Sequence, residues 1–177
     1  MKTLTVIGGI EGVGKTSLLG VLKACRTDLG KTIDENSLPI HTIVNIAKSY
    51  IDKGYSFTLE STLIENHIEA IVQKAKEKGY QVNLYYIAFD SYEESIRRLE
   101  RRSSNDKLSI SSEIIKSHFE SRFDILIRLL PLCDKCLFFD NWNGFEMIAE
   151  LKNGALQPIR DSIPSWITQL TTSLKIQ

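Results

Sequence analysis

The sequence has few cysteines and no excess of charge of either sign. Its three cysteines, Cys25, Cys133 and Cys136, are too few for a disulfide framework and suit a reducing compartment. The 22 basic and 22 acidic residues cancel, so no global positive field attracts nucleic acid or an anionic membrane. Neither nucleic acid nor a membrane is therefore expected as a partner.

Long apolar runs are also missing. The best candidate, Ile125–Leu132, is interrupted by Arg128 and Pro131 and falls far short of the roughly 20 apolar residues that cross a bilayer. The run Leu4–Ile7 is too short for the hydrophobic region of a signal peptide and leads directly into glycines. These features predict a soluble, cytoplasmic protein. With 177 residues, 42% of them hydrophobic, the chain is expected to fold as a single domain over residues 1–177.

Cys133 and Cys136 have the C-x-x-C spacing of some zinc and redox sites. A zinc site needs a second pair of ligands, and none of the three histidines lies beside this pair in the sequence. The sequence therefore favours an incidental helix-to-strand junction over a metal or redox role.

Short apolar runs alternate with helical patterns, which is typical of an α/β fold with a mostly parallel sheet. The helices are predicted at Ser17–Cys25, Leu63–Lys78, Ser91–Arg102, Glu113–Leu130 and Ile163–Leu174. A hairpin turn is predicted at Asn153-Gly154, and the polar segment Ser103–Ser112 is interpreted as a mobile flap that closes over the site. Five strands are predicted: Thr3–Ile7, Thr32–Asp34, Ser56–Leu59, Gln81–Ala88 and Lys135–Phe139.

Residues 9–16, GIEGVGKT, match the phosphate-binding pattern G-x-x-x-x-G-K-S/T at every fixed position. An apolar strand precedes the motif and a helix follows it, so backbone N–H groups and the helix N-terminus converge on one anion site. The pattern predicts ATP with Mg²⁺ as the ligand. The dinucleotide-binding motif G-x-G-x-x-G is not matched, because Glu11 stands where that motif needs its second glycine.

The motif assigns a role to each of its residues. Lys15 supplies positive charge to the β- and γ-phosphates, and the Thr16 hydroxyl is the predicted protein ligand of Mg²⁺. The nucleotide-binding residues are expected to be Gly9, Gly12, Val13, Gly14, Lys15, Thr16 and Ser17.

Two acidic residues end predicted strands, where a parallel sheet places its ligand crevice. Asp34 is a candidate base for the hydroxyl of an acceptor, and an N-cap of the following helix is an equal alternative. Glu60, followed by Thr62, is a candidate contact for the acceptor or for a magnesium-bound water, with helix capping as the alternative. Asp34, Glu60 and Thr62 are therefore the predicted substrate-binding residues.

Four arginines precede the predicted flap at helical spacing, and one or two of them could stabilise charge on the γ-phosphate. Arg98 and Arg102 form one pair four residues apart, and Arg97 and Arg101 form the other. The structural alternative is a solvated helix face.

Taken together, these motifs resemble the zeta-toxin-like P-loop kinases over nearly the whole chain. The similar segments are GGIEGVGKTSL, Ile33-Asp34-Glu35, SFTLESTL, EKGYQVNLYYIAF and LPLCDKCLFFDN. The resemblance implies a three-layer P-loop sandwich of the nucleoside- and nucleotide-kinase type with a lid segment. It also implies that the Glu60 strand lies beside the P-loop strand, that Asp34 is the acceptor-side base and that Arg98 and Arg102 serve the phosphates.

The chain departs from this family at one position. His118 stands where the family commonly has arginine before an aromatic residue, here Phe119. Arg122, one turn later, is a candidate substitute for that arginine.

The function expected from these features is transfer of the ATP γ-phosphoryl group to a small acceptor, with a nucleotide sugar as one candidate. Zeta toxins phosphorylate a UDP-activated amino sugar, but that substrate is not carried over to this chain. One alternative is an ATPase or nucleotide-dependent switch that has no acceptor. The other is an interaction module of the toxin–antitoxin type, for which an antitoxin-like protein is the candidate partner.

Overall fold

The computed structural model describes residues 1–25, 29–103 and 110–175. Residues 104–109, most of the predicted flap, lie outside this range, while Ser111 and Ser112 belong to the start of a helix. Of the described helices, none is long and apolar enough to cross a membrane.

Strands and helices alternate along the chain, as predicted. The strands are β1 (Thr3–Gly8), β2 (Lys31–Asp34), β3 (Phe57–Ser61), β4 (Gln81–Ala88), β5 (Lys135–Asp140), β6 (Glu146–Lys152) and β7 (Ala155–Pro158). The helices are α1 (Lys15–Cys25), α2 (Ile40–Lys53), α3 (His67–Glu77), α4 (Tyr92–Ser103), α5 (Ser112–Glu120), α6 (Asp124–Leu129) and α7 (Ser165–Lys175).

The sheet has the order β2-β3-β1-β4-β5-β6-β7. Its first five strands are parallel and correspond to the five predicted strands, so the α/β fold with a mostly parallel sheet is confirmed. β6 and β7 extend the sheet to seven strands as an antiparallel hairpin. The hairpin turns at Asn153 and Gly154, both with positive φ, as the sequence predicted.

Helices cover both faces of the sheet and give it three layers. Successive strand residues point to opposite faces, so Val6 of β1 belongs to a core with α2, α3, α6 and α7, whereas Ile7 belongs to a core with α1. α2 contributes Ile43, Ala47 and Ile51, which are buried at helical spacing. Both faces of the central strands are therefore buried, as parallel sheets require.

Two predicted helices have different limits in the structure. The helix predicted at Leu63–Lys78 begins only at His67, because Leu63 has a φ of 58° that a helix does not allow. The helix predicted at Glu113–Leu130 is two helices, α5 and α6, separated at residues 121–123 and followed by a 3₁₀ turn that contains Pro131.

Candidate active site

The phosphate loop joins the end of β1 to the start of α1. β1 ends at Gly8 and α1 begins at Lys15. Residues 9–15 are all buried, whereas the next two residues, Thr16 and Ser17, are exposed in the first turn of α1. The phosphate loop and the N-terminus of α1 therefore have the arrangement that binds phosphate through backbone N–H groups.

Two glycines of the loop fit closely against other elements. Gly12 has a φ of 78°, and a Cβ there would lie 2.9 Å from the backbone oxygen of Ser95 in α4. Gly14 has a φ of 104°, and a Cβ there would lie 2.6 Å from Asn141 Nδ2. Side chains are excluded at both positions by conformation and by contact.

Lys15 is buried inside the loop that it serves. Its Nζ donates hydrogen bonds to Gly9 O at 2.6 Å and to Ile10 O at 3.0 Å. Burial lowers the pKa of Lys15 below its ordinary value, although nearby carboxylates oppose this shift. The opposing carboxylates are Glu11, Glu35, Glu60 and Asp34, in order of decreasing effect.

Thr16 and Glu60 meet at the carboxyl edge of the sheet. β3 lies beside β1 with Glu60 opposite Ile7, as the resemblance implied. Thr16 Oγ1 donates a hydrogen bond of 2.8 Å to Glu60 Oε2. Glu60 lies within β3 and does not cap a helix, because α3 begins seven residues later at His67.

Asp34 is the last residue of β2 and lies opposite Glu60 on the neighbouring strand. Its carboxylate caps the 3₁₀ turn that follows β2, since Oδ1 accepts from Asn36 N at 3.0 Å and Oδ2 accepts from Ser37 Oγ at 2.7 Å. The capping alternative from the sequence is therefore present. The side chain is only half-buried, so its role as a base stays a prediction.

Glu35 and His67 form a cluster with Thr62 that sequence reasoning missed. Glu35 Oε2 accepts hydrogen bonds from Thr62 N at 2.7 Å and from Thr62 Oγ1 at 3.2 Å. Glu35 Oε1 lies 3.1 Å from His67 Nε2, and both side chains are about nine-tenths buried. This distance is that of an ion pair, but its angles are not those of a hydrogen bond.

Burial of the Glu35 carboxyl acts to raise its pKa. The ion-pair contact with His67 and hydrogen bonds from Ser61 and the Thr62 N–H outweigh burial and hold the pKa of Glu35 below its ordinary value. Thr62 thus lies at the predicted place but contacts Glu35. The position of Glu35 directly after Asp34 was the available sequence signal for this residue.

Arg98 connects α4 to the loop after β5. Its Nε donates to Glu94 Oε1 at 2.8 Å, and one terminal nitrogen donates to Asn141 O at 2.7 Å. Its guanidinium also lies over the ring of Phe89, 4.7 Å from the centroid. Arg102 is exposed in the last turn of α4. The role of both arginines on the phosphates stays a prediction.

Arg122 contacts α5, the break after it and α7. Its guanidinium donates to Phe119 O and to Gln169 Oε1, the latter at 2.5 Å, and it stacks against the rings of Phe119 and Phe123. Burial lowers its pKa. In this structure, Arg122 therefore braces the break between α5 and α6 against α7.

His118 contacts the phosphate loop directly. Its Nδ1 lies 2.8 Å from Glu11 Oε1. The two residues are 107 positions apart in the chain, and sequence reasoning did not connect them.

Asn141 links the end of β5 to the phosphate loop. Its Nδ2 donates a buried hydrogen bond of 2.7 Å to Val13 O. The structure shows that Asn141 supports the loop backbone.

Cys133 and Cys136 share a hydrogen bond near the start of β5. That bond, together with burial, raises the pKa of Cys133 far above its usual range, which is opposite to the lowered pKa of a reactive thiolate. In the described residues, no group of three or more His, Cys, Asp or Glu side chains could hold a metal ion.

Two solved structures resemble the whole described fold. One is a chain of the PezAT chromosomal toxin–antitoxin system of Streptococcus pneumoniae, with a TM-score of 0.63 and 17% identity over 99% of this chain and 86% of that one. The other is AvrRxo1-ORF1:-ORF2 with ATP, with a TM-score of 0.59 and 17% identity over all of this chain. The present chain spans only 65% of the length of that second chain. At this identity the two likenesses show the fold.

A family model described as zeta toxin matches residues 42–127. This segment of the chain is similar to zeta toxins. The match to the zeta toxin model includes Glu60, Arg98, Arg102 and His118, but it begins after the phosphate loop and Asp34. No curated protein matches the chain significantly.

The zeta-toxin-like fold brings an anion-binding loop, a hydroxyl paired with a carboxylate and further acidic groups to one edge of the sheet. Lys15 and the N-terminus of α1 supply the positive potential. Asp34, Glu35 and Glu60 supply carboxylates on the two neighbouring strands and the turn after β2. Such a site can hold a phosphorylated nucleotide on one side and an acceptor on the other.

Proposed function

We propose that the chain binds ATP with Mg²⁺ and transfers the γ-phosphoryl group to the hydroxyl of a small acceptor. The observation that carries this proposal is the contact between Thr16 Oγ1 and Glu60 Oε2 at 2.8 Å. It joins the last residue of the phosphate motif to a buried carboxylate on the strand next to β1. Phosphoryl transfer depends mainly on positioning and charge neutralisation, which this arrangement can supply.

The residues present fit a magnesium ion. Mg²⁺ is commonly bound by one or two protein oxygens together with phosphates and waters, and the Thr16 hydroxyl and the Glu60 carboxylate are adjacent oxygens of this kind. Thr16 would hold the ion directly, and Glu60 would hold it through a water. When bound, Mg²⁺ would neutralise charge on the phosphate oxygens.

The acceptor would lie on the side of Glu60 away from β1. β2 is separated from β1 by β3, so Asp34 lies one strand further from the loop than Glu60. Asp34 would accept the proton of the acceptor hydroxyl, and Thr62, held by Glu35, would line the acceptor side. Lys15, with Arg98 or Arg102, would stabilise charge on the transferred group.

Turnover of Mg-ATP labelled at the γ-phosphate, in the presence of a metabolite extract, tests the proposal. We expect label on a small molecule with the wild-type protein, and a loss of about 10²-fold or more with Lys15→Ala, because removal of the ammonium leaves phosphate charge unneutralised. Lys23→Ala, at an exposed position of the same helix, is the matched control.

The products also separate the alternatives. Release of inorganic phosphate without a labelled acceptor would indicate an ATPase or a nucleotide-dependent switch. Equal turnover in wild type and a folded Lys15→Ala variant would overturn the assignment of the phosphate loop.

A protein partner of the antitoxin kind is a second proposal. It is favoured by the likeness to a chain of a toxin–antitoxin system and to a chain from a complex named for two open reading frames. Co-purification with the product of a neighbouring gene, together with loss of ATP turnover in the complex, is the expected result.

A further inference from the structure

The phosphate loop contains a carboxylate of its own. Glu11 is the third residue of the motif and is only 7% exposed. Its Oε1 lies 2.8 Å from His118 Nδ1, while its Oε2 is buried and has no hydrogen-bond partner in the described part of the chain. A buried carboxylate with an unpartnered oxygen is costly unless a positive charge lies beside it.

Glu11 acts on the residue that is expected to bind the phosphates. Of the four carboxylates that oppose the lowering of the Lys15 pKa, Glu11 has the largest effect. A triphosphate brings several negative charges to the same loop and would compete with Glu11 for Lys15. An ionised, unneutralised Glu11 would therefore weaken the binding of a triphosphate.

His118 is placed to neutralise this charge. It lies in the last turn of α5, where the helix dipole favours a cation. Its side chain is 24% exposed, so protons reach it from solvent. Histidine is the residue type that most commonly changes charge in response to physiological pH.

Lys15 and Tyr92 are titratable groups that lie beside this pair in the described part of the chain. Lys15 lies across the loop, and α4 contributes Tyr92, whose ring contacts Phe119 with centroids 5.9 Å apart. A hydrogen bond to Glu93, with a smaller effect of Glu120, raises the pKa of Tyr92, so this phenol stays neutral near pH 7. Lys15 is thus the main competing explanation for any pH effect at the loop.

We propose that His118 is a positioning residue for the nucleotide: when protonated, it neutralises Glu11 and thereby increases the affinity of the phosphate loop for a triphosphate. The inference rests on the proposed function. It predicts that Mg-ATP binds more tightly at pH 6 than at pH 8, because lower pH favours the charged form of a histidine.

Calorimetric titration with Mg-ATP at pH 6 and pH 8 tests the inference. We expect the Kd of the wild-type protein to rise about tenfold between these values, the scale of one unit charge close to the loop. Glu11→Gln removes the charge that needs neutralising, so it should bind tightly at both pH values. His118→Arg should also bind tightly at both, and His118→Gln should bind weakly at both.

Three comparisons make the result specific. ATP itself changes protonation between these pH values, and this affects wild type and Glu11→Gln equally. The difference in pH dependence between the two proteins therefore reports on the protein alone. The double variant Glu11→Gln/His118→Gln should bind like Glu11→Gln, because His118 acts through Glu11. His41→Gln, at an exposed histidine on α2, should keep the wild-type pH dependence.

Failure of the inference can be distinguished from failure of the proposed function. If no variant binds Mg-ATP at either pH, the proposed function fails. If wild type binds Mg-ATP with the same Kd at both pH values, the role of His118 is overturned while the proposed function stands. The same conclusion follows if His118→Arg keeps the pH dependence, because that result would implicate Lys15.

Discussion

Asp34 holds a turn with both of its carboxylate oxygens and also lies at the edge of the sheet where an acceptor would bind. Oδ1 receives the Asn36 N–H and Oδ2 receives the Ser37 hydroxyl. The two roles are compatible, because a carboxylate has about four lone-pair sites and these two bonds leave capacity on each oxygen. They can be separated by a substitution that keeps the cap and removes the basic oxygen.

Asp34→Asn is that substitution. Asparagine is a good N-cap, so the melting temperature should change little. The affinity for ATP should stay close to wild type, because β2 is separated from the phosphate-loop strand by β3. Phosphorylation of an identified acceptor should fall about 10²–10⁴-fold, the usual scale for a positioned proton acceptor. Phosphorylation at the wild-type rate would leave Asp34 as a cap only.

Glu35 links protonation to stability. Burial acts to raise its pKa, but the ion-pair contact with His67 and hydrogen bonds from Ser61 and Thr62 outweigh burial and lower the pKa in the folded protein. The stabilisation is therefore fully present above the unfolded carboxyl pKa of about 4.3, and it is lost as pH falls through the lower folded pKa. Glu35→Gln should cost about 1–3 kcal/mol at pH 7.

Melting temperatures measured between pH 7 and about pH 3 check this prediction, because the loss is expected below the unfolded carboxyl pKa. The difference in melting temperature between wild type and Glu35→Gln should become smaller at the acid end of the range. Glu65→Gln, at an exposed position shortly before α3, should match wild type throughout. A gap that stays constant or widens on acidification would contradict the assigned direction of the pKa shift.

α4 and the loop after β5 are held together chiefly by Arg98. Its guanidinium joins Glu94 to Asn141 O and lies over Phe89. A lysine lacks the planar fork needed to make these contacts at once. We expect Arg98→Lys to lower the free energy of unfolding by about 1–3 kcal/mol in urea titrations, since hydrogen bonds of charged groups are lost.

Arg102→Lys is the matched variant, because Arg102 lies four residues further along α4 and is exposed. It should unfold at the wild-type urea concentration. An unchanged midpoint for Arg98→Lys, with a large loss of ATP turnover, would instead favour the sequence interpretation in which Arg98 serves the phosphates.

Much of the fold follows from local patterns in the sequence. The five parallel strands were predicted mainly from short apolar runs, and the hairpin turn from Asn153-Gly154, which suits a turn with positive φ. β6 and β7 were not among the predicted strands. α2 was missed, although Ile43, Ala47 and Ile51 show helical spacing. The break between α5 and α6 was missed because the amphipathic pattern continues through residues 121–123 and only tertiary contacts show where the helix ends.

The site was only partly predictable for a related reason. The phosphate motif and the strand-end acids can be found locally, because the fold places strand ends at one edge. The contacts of Glu11 with His118 and of Glu35 with Thr62 join residues 107 and 27 positions apart. No local pattern specifies such pairs, since they depend on how α5 and the turn after β2 pack against the sheet.

The phosphate loop lies beneath its neighbours, with α4 against Gly12 and His118 of α5 against Glu11. Because residues 9–15 are buried beneath these neighbours, we expect a ligand to reach their backbone N–H groups when α4 and α5 move away from the loop. The association rate of the ligand would then depend on how often α4 and α5 move away from the loop, and not on the rate of collision. Its dissociation rate would depend on the same motion. A nucleotide bound in this way would exchange slowly at any nucleotide concentration. The lifetime of the complex would then depend more on the dissociation rate than on the concentration of free nucleotide.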